Sequence, residues 1–233
     1  DFTINAIYLD AEGIVYDPVG GLRDLEIGFI RFVGDPVLRI KEDVLRILRF
    51  YRFFALYAQL KPDARAVRAC ADLATKLNTL SNERITKELL KILSASNPCL
   101  AVSSMIETGV LQVILPEATR PETMETLYNL ELAAELRPDP ILRLSVLVHV
   151  PEGKAKSLLK SLIARLSFTK KQKGRLKFLL DPPVILKPGT TEHEVQTMLY
   201  YFGYNLFSDL LFSRKIRFAD IVDILSSHPL TGI

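Results

Sequence analysis

The sequence predicts a mainly α protein in which a short β-strand remnant at the N-terminus gives way to an all-helical body. Three observations carry that expectation. Residues 1–34 hold short apolar runs rich in glycine and β-branched residues, each bounded by turn formers. From Asp35-Pro36 onward the apolar positions recur at helical spacing. Prolines at 62, 98, 116, 138, 151, 182, 183 and 188 then divide the remainder into segments of ordinary helix length.

Taken in order, the strand candidates are Ala6–Leu9, Gly13–Tyr16 and Gly28–Val33. Between the second and third, Asp17-Pro18-Val19-Gly20-Gly21-Leu22-Arg23-Asp24 requires a tight loop, because proline fixes a backbone angle and the glycines admit left-handed conformations. Helices are expected near 41–59, 63–77, 82–94, 98–109, 122–135, 140–149, 154–165, 169–180, 191–202, 204–213 and 216–226. No internal repeat or low-complexity tract interrupts them. Three stretches follow from this reading: 1–34, 35–115 and 116–233.

Of 233 residues, 48% are hydrophobic and 24% charged, enough apolar matter to bury a core and too much for disorder. No uninterrupted apolar run approaches the roughly 18 residues that span a bilayer. No basic-then-apolar leader opens the sequence. A soluble, cytoplasmic protein is the expectation. Asp1 lies in the middle of what reads as a structured segment, which suggests that an upstream part has been removed. Cys70 and Cys99 stand far apart without metal-ligand spacing and are expected as free, mostly buried thiols. His149, His193 and His228 have no ligand partners at useful spacing, so no metal site is expected from them.

The net charge is only +3, but its distribution is uneven. Lys154, Lys156, Lys160, Arg165, Lys170, Lys171, Lys173, Arg175 and Lys177 fall in one block without an acidic residue, so the rest of the chain is net negative. A segregated basic block is the footprint of a phosphate-backbone contact surface. A merely solvated lysine-rich face would look the same.

The stretch richest in chemistry is Arg39–Phe54. On a helix, Val44, Ile47, Leu48, Tyr51 and Phe54 share one arc and form a core face. Glu42, Arg46, Arg49 and Arg52 lie opposite, with Asp43 at the border and Leu45, Phe50 and Phe53 interleaved. Arginines set among large apolar groups each need a carboxylate, a phosphate or a base edge. Asp43 and Arg46, three apart, could pair side by side and offer an acceptor beside a planar fork of donors. That arrangement suits the pairing edge of cytosine or adenine, with Arg49 and Arg52 placed for triphosphate oxygens. An ordinary helix with an arginine fringe fits the same periodicity.

Four ordered segments resemble class II CCA-adding enzymes and bacterial poly(A) polymerases. Asp1-Phe2-Thr3-Ile4-Asn5-Ala6 is similar to the end of that family's Arg-Arg-Asp-Phe-Thr-Ile-Asn-Ala segment, and Asp17–Leu25 resembles its flexible glycine loop. Val33-Gly34-Asp35-Pro36, Arg39-Ile40 and Glu42–Arg49 resemble its nucleotide-template motif, Glu-Asp-x-x-Arg. Leu80–Leu89 resembles its neck motif. The resemblance covers residues 1 to about 120 well and the rest loosely.

That resemblance implies a head remnant at 1–34, a neck with the nucleotide-template helix at 35–115, and a tRNA-binding body and tail at 116–233. Asp43 and Arg46 match the pair that acts as an amino-acid template for incoming CTP and then ATP. Arg49 and Arg52 match arginines that contact the nucleotide, and Glu42 a supporting carboxylate. Asp1 and Asn5 match residues near the ribose; Gly20, Gly21 and Asp24 match the loop that moves between the two stages; Arg84 and Glu88 are expected to brace the neck. The family binds Mg²⁺ through two aspartates on a head strand, which nothing in 1–233 replaces, so this chain alone is expected to be inactive. Leu147-Val148-His149-Val150 resembles the place where some relatives carry a His-Asp phosphohydrolase pair, with Val150 where the aspartate would stand.

The leading reading is therefore part of a nucleotidyltransferase that adds CCA to tRNA 3′ ends from CTP and ATP. A poly(A) polymerase, a noncatalytic helical RNA-binding fragment and a helical protein-interaction domain are the alternatives. Oligomeric state is not legible.

Overall fold

The computed structural model describes residues 1–119, 122–133, 135–148, 150–151, 153–182 and 191–217, with backbone alone at 192, 195, 199, 204, 205 and 211–217. His149, His228 and the part of the expected 216–226 helix beyond residue 217 lie outside the described residues. The architecture is mainly α, with one small hairpin.

That hairpin pairs β1 (Tyr8–Leu9) with β2 (Val15–Tyr16) in antiparallel register, Tyr8 opposite Tyr16. The third expected strand, 28–33, makes only an isolated bridge between Phe32 and Phe2. The segment that carries Phe2 turns away at once into a 3₁₀ turn at Thr3–Asn5, so the ladder cannot extend. The expected glycine loop also differs: α1 (Gly21–Glu26) begins inside it. The Asp17 carboxylate accepts hydrogen bonds from the backbone N–H of Gly21 at 2.6 Å and of Leu22 at 3.0 Å, satisfying donors that a helix start leaves open. Those N–H groups, Leu22 foremost, also hold the Asp17 carboxyl below its usual range.

The helix expected at 41–59 is two helices. Asp35 caps α2 (Pro36–Glu42) by accepting from Leu38 N, and Pro36 occupies the first turn, where its missing N–H costs nothing. Asp43 is extended (φ −147, ψ 109), and its Oδ1 accepts from its neighbour's backbone, Leu45 N, at 3.1 Å. That local bond competes with helix continuation and makes a corner. α3 (Arg46–Tyr57) follows.

Beyond it come α4 (Ala64–Leu73), continued by a 3₁₀ stretch at Ala74–Thr79, then α5 (Asn82–Leu93), α6 (Cys99–Glu107) and α7 (Val110–Ile114). Gly109, at φ 72, separates α6 from the short α7, which periodicity did not resolve. α8 (Glu122–Ala133), α9 (Pro140–Leu147), α10 (Ala155–Arg165) and α11 (Lys170–Leu180) match their expected positions. The expected helices at 191–202 and 204–213 form one element, α12 (Glu192–Arg217), broken at Gly203 (φ 71, ψ 163).

The core is centred on α3, which packs against α5 and α6. Ile47, Leu48, Tyr51 and Phe54 are buried as expected. Phe50, expected on the charged side, is fully buried as well, because Phe2 and Phe32 cover that side. Ring centroids of Phe2–Phe32, Phe2–Phe53 and Phe32–Phe50 lie 4.8, 5.0 and 5.7 Å apart. The N-terminal segment is thereby joined to α3 through aromatic contacts. Among the described residues, no helix is long and apolar enough to cross a membrane.

Candidate nucleotide-selecting corner

Because Asp43 and Arg46 flank a corner, they do not pair through their side chains as expected; Arg46 N donates instead to the Asp43 backbone carbonyl at 3.0 Å. Each side chain finds another partner. Arg46 donates from Nε to Asp1 Oδ1 at 2.7 Å, and from Nη1 to the Arg39 carbonyl at 2.7 Å and to Glu42 Oε2 at 2.5 Å. Arg39 Nη1 meets the same Glu42 oxygen at 2.6 Å. The hydrogen bond from Arg46, reinforced by the charge of Arg39, holds the Glu42 carboxyl below its usual range. Arg39 was not among the expected site residues, although it lies three residues before Glu42, a spacing at which an ion pair is common.

Arg49 Nη2 lies 2.6 Å from Asp1 Oδ2, an ion pair whose angle falls short of a hydrogen bond and leaves Arg49 Nε without one. Arg52 contacts Glu88 at 2.8 Å in the same manner, and its guanidinium sits 4.7 Å from the centre of the Phe53 ring. Arg84 and Glu88, expected as a neck brace, both reach across from α5. Arg84 Nη2 donates to both Asp43 oxygens, at 3.1 and 3.2 Å, while Glu88 takes Arg52 on one oxygen and Lys91 on the other.

The remaining expected residues separate. Asn5 is exposed and accepts from Phe2 N, fixing the 3₁₀ turn. Asp24 is buried and accepts from Thr3 Oγ1 and Arg31 Nε, so it is an internal anchor of the segment expected to be a flexible loop. Gly21 approaches the Thr3 backbone so closely that an added Cβ would lie 2.1 Å from its carbonyl oxygen, and Gly20 takes φ 74.

In the basic block, Lys154, Lys156, Lys160, Lys170, Lys171, Lys173 and Lys177 are exposed on α10, α11 and the turn before α10. Two members differ. Arg165 faces Glu117 at 3.7 Å, and Arg175 is held between Asp139 and Asp209 at 2.5 Å each, so internal acids occupy them. Burial disfavours the Arg175 charge, but the two aspartates more than offset this and raise its pKa. Lys170, Lys171, Arg137 and Arg175 edge a cleft of about 810 Å³ between α11, α12 and the α8–α9 connection.

Sequence reasoning missed one buried cation. Arg143 of α9, 1% exposed, donates to both Glu131 oxygens and to the carbonyls of Leu93, Ala95 and Ser96. Cys70 is buried and Cys99 partly so, neither in a disulfide. His193 is exposed. Among the described residues no group of three or more His, Cys, Asp or Glu side chains could hold a metal ion. Asp17 and Asp24 are committed to internal hydrogen bonds, so among the described residues these two carboxylates do not fit a Mg²⁺ site.

Residues 1–31 match the family described as the poly(A) polymerase head domain, and residues 59–120 match the probable RNA and SrmB-binding site of polymerase A. A multifunctional CCA protein of Xanthomonas campestris pv. campestris (strain B100) is 39% identical over 145 residues, covering 60% of this chain and 33% of the relative. The multifunctional CCA protein of Teredinibacter turnerae is 34% identical over 167 residues, covering 64% and 40%. Poly(A) polymerase I of Salmonella typhi is 38% identical over 122 residues, covering 52% and 26%. The chain thus spans two fifths or less of the length of these relatives. Its fold is similar to the Bacillus stearothermophilus CCA-adding enzyme in complex with CTP, with a TM-score of 0.69 and 24% identity over 94% of this chain and 53% of that one. The Thermotoga maritima CCA-adding enzyme complexed with tRNA gives a TM-score of 0.63 at 21% identity, over 91% and 55%. The order of motifs and these sequence matches agree: over residues 1–31 and 59–120 the chain is similar to CCA-adding tRNA nucleotidyltransferases and bacterial poly(A) polymerases, and its helical fold is that of the solved CCA-adding enzymes.

Proposed function

We propose that this chain is the nucleotide-selecting and RNA-holding part of a transferase that adds CCA to tRNA 3′ ends from CTP and ATP. The observation that carries the reading is the α2–α3 corner. There a carboxylate, Asp43, and a guanidinium, Arg46, stand three residues apart at the facing ends of two helices, while Asp1, Glu42 and the Arg39 carbonyl fix the guanidinium. Those bonds use Nε and Nη1 and leave Nη2 for a ligand.

Cytosine and adenine each present an amino donor beside a ring-nitrogen acceptor. A carboxylate accepts from the first and a guanidinium donates to the second. Uracil and guanine present a carbonyl beside a ring N–H, which sets acceptor against acceptor and is rejected. Arg49 keeps donors free for a triphosphate oxygen, whereas the contact with Glu88 favours a supporting role for Arg52. Mg²⁺ ligands are not among these residues, and we assign this chain binding and selection without the transfer step.

The exposed lysines of α10 and α11 and the match of 59–120 to an RNA-binding family support RNA as the partner. If six or seven of those lysines contact phosphates, tRNA affinity should fall about a thousandfold between 50 and 200 mM salt. A nearly flat dependence would remove the phosphate grip. The poly(A) reading draws on the similarity to the Salmonella typhi enzyme. Sequencing the products that the full-length transferase makes on tRNA lacking its 3′ end separates the two. CCA made from CTP and ATP supports the proposal; adenylate tails made without CTP support the other.

A further inference from the structure

The two members of the corner pair are held in unlike ways. Arg46 is fixed by hydrogen bonds to three groups, and its side chain is 14% exposed. Asp43 meets one side chain, Arg84, through a single nitrogen shared between its two oxygens, and the partners are 33% and 48% exposed. A contact so open to water is weak enough to yield when a base arrives. It nevertheless gives the carboxylate its direction, because the remaining hydrogen bond of Asp43 is to its own turn, at Leu45 N. One helical turn further along α5, Glu88 grips Arg52 of α3. The helix that carries both contacts lies within the segment matched to an RNA-binding family.

We infer that Arg84 is a positioning residue for nucleotide selection, aiming the Asp43 carboxylate at the amino group of the base. Through it, the RNA-binding segment sets the fidelity of the corner. The inference rests on the reading of Asp43 and Arg46 as the base-reading pair. Without Arg84 the Asp43 carboxylate keeps only the hydrogen bond from Leu45 N to Oδ1, its other oxygen loses its fixed direction, and a misdirected carbonyl on uracil or guanine no longer meets a fixed acceptor there. Rejection then weakens, while the fixed Arg46 still supports binding.

The test is single-nucleotide incorporation into tRNA by the full-length transferase, supplied separately with CTP, ATP, UTP and GTP. Arg84→Ala should lower the preference for CTP and ATP over UTP and GTP by roughly fivefold, the scale of one exposed ion pair. Arg84→Lys, which keeps the charge, should recover part of that loss. Lys87→Ala removes an equal charge from an exposed position of α5 and should leave the preference intact. If Arg84→Ala slows all four nucleotides equally while Asp43→Ala abolishes the preference, Arg84 has no positioning role and the reading of the corner stands. If Asp43→Ala also keeps the preference, the reading of the corner falls. Circular dichroism checks folding; should Arg84→Ala unfold the protein, Arg84→Lys and Arg84→Gln carry the same comparison.

Discussion

Replacing Arg143 by Met should destabilise the protein more than most single substitutions. Its guanidinium neutralises Glu131, 3% exposed, and donates to three carbonyls that close the α5–α6 connection. Removing it strands a buried carboxylate, which costs about 3–5 kcal/mol. At about 2–4 °C per kcal/mol for a chain of this size, Tm should fall by about 6–20 °C. Thermal unfolding of the 233-residue chain followed by circular dichroism reads this directly. The double variant Arg143→Met with Glu131→Leu should melt above Arg143→Met alone, because no charge is left buried. A drop of less than about 2 °C in the single variant, or a double variant whose loss equals the sum of the singles, would refute the reasoning.

Two further outcomes follow from the N-terminal segment and the corner. Gly21→Ala drives a methyl into the Thr3 carbonyl and should cost about 1–3 kcal/mol, more than Gly20→Ala, whose methyl would meet only the Arg31 guanidinium, at 3.6 Å, at a left-handed angle; equal Tm losses would contradict the close approach. The Glu42 carboxyl is lowered from 4.5 by its arginine partners, so its contribution is present above that value and is lost as pH falls through the lower folded-state value. An NMR titration of the Glu42 carboxyl should therefore show a midpoint below 4.5, moving back toward it in Arg46→Ala; an unchanged midpoint would show that Arg46 is not the cause.

Much of the helical body was legible because apolar spacing and proline breaks are local. The corner was not. Periodicity runs unbroken through Val44, Ile47 and Leu48, and only the turn-forming habit of Asp43 hinted that its side chain would accept from the backbone two residues on, at Leu45, and end the helix. The partners of the corner lie 41 to 45 positions away in the chain, Arg84 for Asp43 and Asp1 for Arg46, beyond the reach of any helix wheel. Composition also overcounted the basic surface, since Arg175 and Arg165 answer to acids on other elements. Arg143 carried a usable signal: a lone cation in the run Ile141–Val148 must find its charge partner inside. That the partner is Glu131 becomes visible only in three dimensions.

The packing of Phe2 and Phe32 against Phe50 bears on where this polypeptide can be cut. A version starting at Asp35 would strip the cover from Phe50 and also remove the Asp1 carboxylate that steadies Arg46 and Arg49. Oily rings and stranded cations would then face water together, and such a piece would be expected to clump. The first 34 residues therefore cover the α2–α3 corner, and any attempt to graft that corner onto another scaffold has to carry them along.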